Sequence, residues 1–480
     1  MRRIAPALSL TSGLIALGTA CYTPYVPPDS GDTGTDPAAC SADPTSGTHD
    51  ADGDLLSDAD EAARGTDPCV RDSDGDGVSD GVEVQLGGDP TNGNYHGDGE
   101  VIEIADGADG SLELSFTVSI DRADVAFLID TTGSMGALAN AMAAEFSAIV
   151  SEVSTAVPDA SYGVATFDDY AYGGFGSTGD GDRPFILRQQ QTTDIARVQA
   201  ALSDDVVLHF GGDGPESAIE ALFQAVTGAG YDQGGSCGPF DAAYDVQPFH
   251  ASAGDPFGGA AGGAYDPTVP GTGIGGGMGF RRGALPVVVY ATDAELRDPD
   301  GGYGVPPACG AFTAASSAAV VAALQPSGGR LVGVNVATSG GPGRAAMESL
   351  AWATNSVGDL DGNGIDEPFV VNWDGSSSAA FRTTVVNALR DLVGAITFST
   401  VELAYDGAGT PFVASVAPAS YTQVNAATFS TPLTFTVFLR GAVPAAAQDQ
   451  VFPLHLTLLG DGSVALGQRN LTIVVPGTGA

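Results

Sequence analysis

Asp130-x-Thr132-x-Ser134 brings one carboxylate and two hydroxyls together at alternate positions of five residues. One anionic and two neutral oxygens suit a hard, octahedral cation such as Mg²⁺ or Mn²⁺, because few charged ligands leave positions for water and for an oxygen of a partner. Val125–Ile129, just before it, is uniformly apolar, the pattern of a parallel strand covered on both faces. Leu138, Met142, Phe146, Ile149, Val153 and Val157 then follow helical spacing, so a strand, a tight loop and a helix are predicted around Asp130. Gly212-Asp213-Gly214-Pro215-Glu216 is predicted to open a second helix carrying Ile219, Leu222, Phe223 and Val226, with Pro215 in its first turn. Pro286–Thr292 reads as another buried strand, ending at the carboxylate of Asp293. In an open α/β sheet the carboxyl ends of neighbouring strands converge on one crevice, where Asp130, Thr132, Ser134, Glu216 and Asp293 are expected to meet.

These segments, in this order, resemble a von Willebrand factor A domain, of the variant found in integrin β subunits. The resemblance spans about Arg122 to Thr397 and rests on Asp130-x-Thr132-x-Ser134, Asp213-x-Pro215-Glu216 and Thr292-Asp293-Ala294. It implies a metal-ion-dependent adhesion site formed by Asp130, Thr132, Ser134, Glu216 and Asp293. It also implies an adjacent cation site formed by Asp169, Asp213, Glu216 and the Pro215 carbonyl, although Gly211 stands where that site has an Asn ligand. Ala137 and Leu138 replace the Asp pair of the family's other adjacent site.

Two rival readings attach to Asp130. In one it only caps the following helix. In the other, Asp130-Thr-Thr-Gly-Ser resembles the phosphoacceptor of haloacid-dehalogenase-type phosphotransferases, with Gly212-Asp213-Gly214 as their later acidic motif. Those enzymes use a lysine beside the phosphoaspartate, and this chain has none. The five histidines, at 49, 96, 209, 250 and 455, show neither zinc spacing nor a Ser/His/Asp pattern, and are expected to be lone exposed imidazoles. The chain is expected not to be an enzyme.

A second acidic signature lies nearer the amino terminus. Asp50, Asp52, Asp54, Asp58 and Glu61, and then Asp72, Asp74, Asp76, Asp80 and Glu83, place oxygens at positions 1, 3, 5, 9 and 12 of a Ca²⁺-binding loop. Gly77 supplies the turn residue of the second loop; Leu55 stands at that position in the first. Without long flanking helices, and with Cys40 and Cys69 nearby, the pair resembles thrombospondin type 3 repeats. Asp359, Asp361, Asn363 and Asp366 form a weaker copy that reads either as a Ca²⁺ loop or as a Gly-rich turn.

Met1-Arg-Arg, the mostly apolar Ala7–Leu17 and Gly18-Thr19-Ala20 read as a signal peptide, and Leu17-Gly-Thr-Ala-Cys21 resembles a bacterial lipobox. Lipidation of Cys21 would leave Cys40, Cys69, Cys237 and Cys309, an even set suited to two disulfides in an oxidising compartment. Cys237 is expected to pair with Cys309. The expectation is therefore an outer-membrane lipoprotein of a Gram-negative cell surface, held to the membrane by its lipid, with simple secretion as the alternative. A formal net charge of −42 and the lack of a basic stripe argue against nucleic acid as a partner.

The resulting organisation is a signal peptide (1–20), a flexible linker (21–48), Ca²⁺-binding repeats (49–94), a strand-forming segment (95–121), the A-like domain (122–397) and a C-terminal β-domain (398–480). The fold class is α/β: a doubly wound, Rossmann-like A domain inserted in or followed by an antiparallel β-sandwich. The insertion is inferred because the alternating Leu112, Leu114, Phe116, Val118 and Ile120 would make a strand that cannot bury its apolar face alone. A Gly/Pro-rich stretch, 228–282, lacks periodicity and reads as a functional or unstructured insertion. Together these suggest a surface protein that uses Mg²⁺ to bind a carboxylate of a protein partner; the alternative is a Ca²⁺-stabilised structural protein without a specific ligand.

Overall fold

A computed structural model describes residues 40–93, 99–234, 237, 240–241, 245–249, 265–336, 343–360, 363–426 and 431–478. The signal peptide, Cys21, the linker up to residue 39, Asp361 and residues 251–264 of the insertion lie outside the described residues. The chain forms two compact units, one of Ser111–Leu439 with Pro453–Leu471, the other of Met1–Gly110 with Arg440–Phe452 and Thr472–Ala480.

The larger unit is built on a six-stranded sheet. Across it run Val370–Asn372, Arg330–Asn335, Leu285–Thr292, Arg122–Asp130, Asp159–Phe167 and Ile186–Thr192, parallel except for the last pair. The central strand is buried from Ala123 to Asp130, which is why its sequence shows no alternation. Its two faces nonetheless have different partners, because successive side chains point to opposite sides. Ala126 and Leu128 share a core with Ile219 and Leu222 of helix Ala218–Thr227, with Val320 and Leu324 of Ser317–Leu324, and with Met347 and Leu350 of Arg344–Ala353. Phe127 meets Phe146 of helix Gly136–Val153 edge-on at 5.9 Å, and that helix packs against Ser378–Ala395. Burying each such side chain contributes roughly 1.5–3 kcal/mol, so the strand ends that carry Asp130 and Asp293 rest on a rigid base.

Several local expectations are corrected. Pro215 does not begin a helix: Pro215–Glu216 forms a short parallel pair with Glu295–Leu296, and the helix starts at Ala218. The Arg297 amide donates to the Glu216 carbonyl at 2.8 Å, which holds that segment extended. Strand Ile186–Thr192 is followed by helix Ile195–Ala200 and a π-helical turn, Ala201–Asp205. Helix Arg344–Ala353 was not anticipated. The 228–282 stretch, read as a functional or unstructured insertion, contributes Tyr231, Val246, Tyr265, Met278 and Phe280 to the core, and Cys237 is bonded to Cys309 as expected.

Strands after residue 396 form further sheets. Thr397–Asp406 pairs antiparallel with Tyr421–Asn425 and with the strand through Leu458, and Val413–Ala417 pairs antiparallel with Leu433–Arg440. Asp109–Phe116 lies beside Leu433–Arg440, where Phe116 meets Phe435 edge-on at 6.2 Å.

The smaller unit carries the acidic loops and two short helices, Asp58–Arg64 and Asp80–Leu86. Val78 and Val82 bury themselves with Val474, Val101, Val451 and Leu86, so remote segments supply the core that the loops lack. Residues 40–48, expected to be part of the flexible linker, are tied down instead. Cys40 is bonded to Cys69, and the Asp43 amide donates to Asp58 Oδ2 at 2.5 Å.

Candidate metal centres

Asp130 ends its strand fully buried. The Thr132 amide (2.8 Å) and hydroxyl (2.7 Å) donate to its Oδ1, and the Thr292 hydroxyl donates to its Oδ2 at 2.6 Å. Thr292 ends the neighbouring parallel strand, so Asp293 follows beside it, and Ser134 Oγ donates to Asp293 Oδ1 at 3.0 Å. Glu216 is held by its pairing with Leu296. A β-carbon at Gly211 would lie 3.0 Å from Glu216 Oε1 and 3.1 Å from Thr132 Cγ2, which places the Glu216 carboxylate beside Thr132. Gly211, at φ +71°, thus sits in a left-handed conformation where a β-carbon would be tight against Glu216 and Thr132. Glu216 Oε2 is buried with no hydrogen-bond partner. Burial pushes Asp130 up to about 7; burial and then the charges of Asp130, Asp169 and Asp168 push Glu216 up to about 10. Buried carboxylates without enough donors are what a cation would neutralise. The chemistry of the set, two hydroxyls and three carboxylates around strand ends, fits a hard divalent ion with positions left for other oxygens.

The adjacent cluster is different. Asp169, Asp213 and the Pro215 carbonyl do come together, but around the guanidinium of Arg297. Its Nε and Nη2 donate to Asp169 at 3.1 and 2.7 Å, Nη2 also donates to Asp213 and to the Pro215 carbonyl (2.7 Å), and Nη1 donates to the Gly304 carbonyl at 3.1 Å. The Phe175 ring covers the guanidinium at 4.4 Å, and the side chain is 2% exposed. The expected second metal site is thus corrected: an arginine fills it. The sequence signal was slight, one basic residue four positions after Asp293.

The histidine expectation also needs correcting. His209 is not a free imidazole: its Nδ1 meets Asp168 Oδ2 at 2.7 Å, while Asp168 Oδ1 accepts from Thr131. His49 Nδ1 meets Asp58 Oδ2 at the same distance. Among the described residues three clusters of such groups lie within 4.8 Å, namely Asp168-Asp182-His209, Asp50-Asp52-Asp54 and Asp72-Asp74-Asp76; Asp130, Glu216 and Asp293 are more widely spaced.

The two N-terminal loops share a backbone scheme. Asp50 accepts from the amides of Gly53 (2.7 Å) and Leu55 (3.1 Å), and Asp72 from Gly75 and Gly77 (both 2.8 Å). Both carboxylate oxygens of Asp52, Glu61 and Glu83 are buried without a hydrogen-bond partner. Burial first, then neighbouring carboxylates, pushes all three up to about 8. The position-9 residues are hydrogen-bonded within their loops as well. Asp58 accepts from the Asp43 and Ala51 amides, and Asp80 from the Ser73 amide and hydroxyl, so these two brace their loops with their oxygens already engaged. Leu55 adopts φ +80° where Gly77 has +98°. Arg71 forks onto Asp449, which also accepts from Ser79, fixing the second loop. In the 359–366 segment Asp359 accepts from Asn363 and Gly364, and its described acidic side chains are exposed, as in a turn.

The model of the bacterial TSP3 repeat family matches residues 50–69 and 72–93, so these loops are thrombospondin type 3 repeats, a calcium-binding type. No curated protein matches the chain. Solved structures that are similar include proximal thread matrix protein 1 of the mussel byssus (12% identity, 58% of this chain and 48% of that one, TM-score 0.29). The pilus adhesin SpaC of Lactobacillus rhamnosus GG matches at 13% identity over 76% of this chain and 46% of its own, TM-score 0.29. The ArnB paralog VWA2 of Sulfolobus acidocaldarius matches at 9% identity over 80% and 74%, TM-score 0.23. The chain spans about half the length of the first two. Two disulfides and extracellular-type repeats suggest export, and no helix among the described residues is long and apolar enough to cross a membrane.

Proposed function

We propose that the chain is an exported, non-enzymatic binding protein. Its larger unit would hold one Mg²⁺ or Mn²⁺ through Asp130, Thr132, Ser134, Glu216 and Asp293, as a metal-ion-dependent adhesion site of a von Willebrand A-like domain does, and a carboxylate of a protein partner would complete the shell. The observation that carries this reading is the buried, unpartnered Glu216 Oε2 beside Thr132, at the edge where Asp130 and Asp293 leave their strands. Hydroxyls in place of further carboxylates would leave the ion electrophilic enough to take an anionic ligand. Asp130→Ala should abolish Mg²⁺-dependent capture of partners from envelope extracts and the heat of Mg²⁺ binding measured in saturating Ca²⁺, with the melting transition of the larger unit retained. An unchanged Mg²⁺ isotherm would rule the site out.

A structural role is the second reading. The buried oxygens of Asp52, Glu61 and Glu83 support it, because they require cations whether or not a ligand is ever bound. Anchoring to an outer membrane through Cys21 belongs to this proposal as well, and mass spectrometry of the exported protein would test it.

A further inference from the structure

We propose that Arg297 is a built-in cation that positions Glu216 and keeps a second divalent ion out, so that the Asp130 crevice works with one metal. Arg297 joins four segments: Asp169 after its strand, Asp213 and Pro215 before Glu216, Gly304, and Phe175 above the guanidinium plane. Its own amide donates to the Glu216 carbonyl at 2.8 Å while its side chain holds the preceding Pro215 carbonyl and Asp213, so a single residue fixes the segment that carries Glu216. A planar fork with donors to four acceptor groups occupies the volume that an oxygen-coordinated ion would need, and its charge is held covalently by the chain. Asp169 is buried, and both of its carboxylate oxygens accept from the fork. Arg297 is therefore a positioning residue: it acts on the crevice by setting where Glu216 stands.

The inference rests on the single-metal reading of the crevice, and the test separates the two. Mn²⁺ bound per full-length chain is counted from the electron paramagnetic resonance signal of the free ion. Asp169→Asn, which keeps an acceptor for Arg297, should bind as many ions as the unsubstituted chain. Arg297→Met should bind one more, and Arg297→Met combined with Asp169→Asn should return to the original count. Loss of one ion in Asp169→Asn would overturn the proposal, because an ion rather than Arg297 would then be using that carboxylate. An unchanged count in a folded Arg297→Met chain would overturn it too. Should Arg297→Met fail to fold, Asp169→Asn decides alone. Asp130→Ala is read separately: its failure to lose an ion would remove the crevice reading while leaving the Asp169→Asn count to be judged on its own.

Discussion

At the scale of single residues, the chain accepts unfavourable local states where an ion would offset them. Leu55 is the clearest case: it holds φ +80° in a loop whose twin uses glycine at +98°. A non-glycine residue in this region costs roughly 1–2 kcal/mol, part of which glycine would give back as chain entropy. Leu55→Gly should therefore raise the calcium-loaded stability of the repeats by about 0.5–1 kcal/mol, seen as a higher thermal midpoint. A lower midpoint would mean that the half-buried leucine side chain contributes more than the backbone costs. The position was visible in the sequence as a missing glycine, since loop spacing demands a turn there. Arg297 was not, because nothing local marks an arginine whose acceptors come from residues 169, 213, 215 and 304.

At the scale of elements, the two repeats are joined through Asp54 and the start of helix Asp80–Leu86. Asp54 Oδ2 accepts from the Gly81 amide at 2.8 Å, and a β-carbon at Gly81 would collide with the Asp54 carbonyl oxygen. Gly81→Ala should thus weaken calcium binding by both loops, although residue 81 is a ligand of neither. Titration of a chain with Gly81→Ala that shows only one loop affected would dismiss the coupling. Protonation gives a further check. Asp52, Glu61 and Glu83 rise from ordinary values of 3.8, 4.5 and 4.5 to about 8 in the ion-free fold, chiefly through burial. The folded state then binds more protons than the unfolded chain between about pH 4 and 8, so ion-free stability falls as pH rises through that window. Calcium must displace those protons. Binding heats at pH 7 should differ between buffers of unlike ionisation enthalpy, and equal heats would contradict the burial of these groups. The long apolar strands were legible because burial on both faces leaves an uninterrupted run; Pro215–Glu216 was not, because a two-residue strand exists only through its partner at Glu295–Leu296.

At the scale of the molecule, charge and cations are distributed unevenly. A net charge of −42 opposes compaction, and the repeats gather acids that calcium neutralises, whereas the cluster beside Glu216 is neutralised by the chain itself. Chelation should expose the segment from Asp50 to Glu83 to proteolysis while the six-stranded sheet stays protected, since the sheet core holds no ion-dependent contact among the residues that pack it. Equal cleavage with calcium and with chelator would remove the ion from the account of that segment. Arg297 has a consequence in any medium whose mineral content varies. A counter-charge carried on a covalently attached side chain cannot be leached by rain, brine or a competing chelator, so the wall that supports Glu216 stays set through swings in the medium, and that cluster draws no ion from the surroundings.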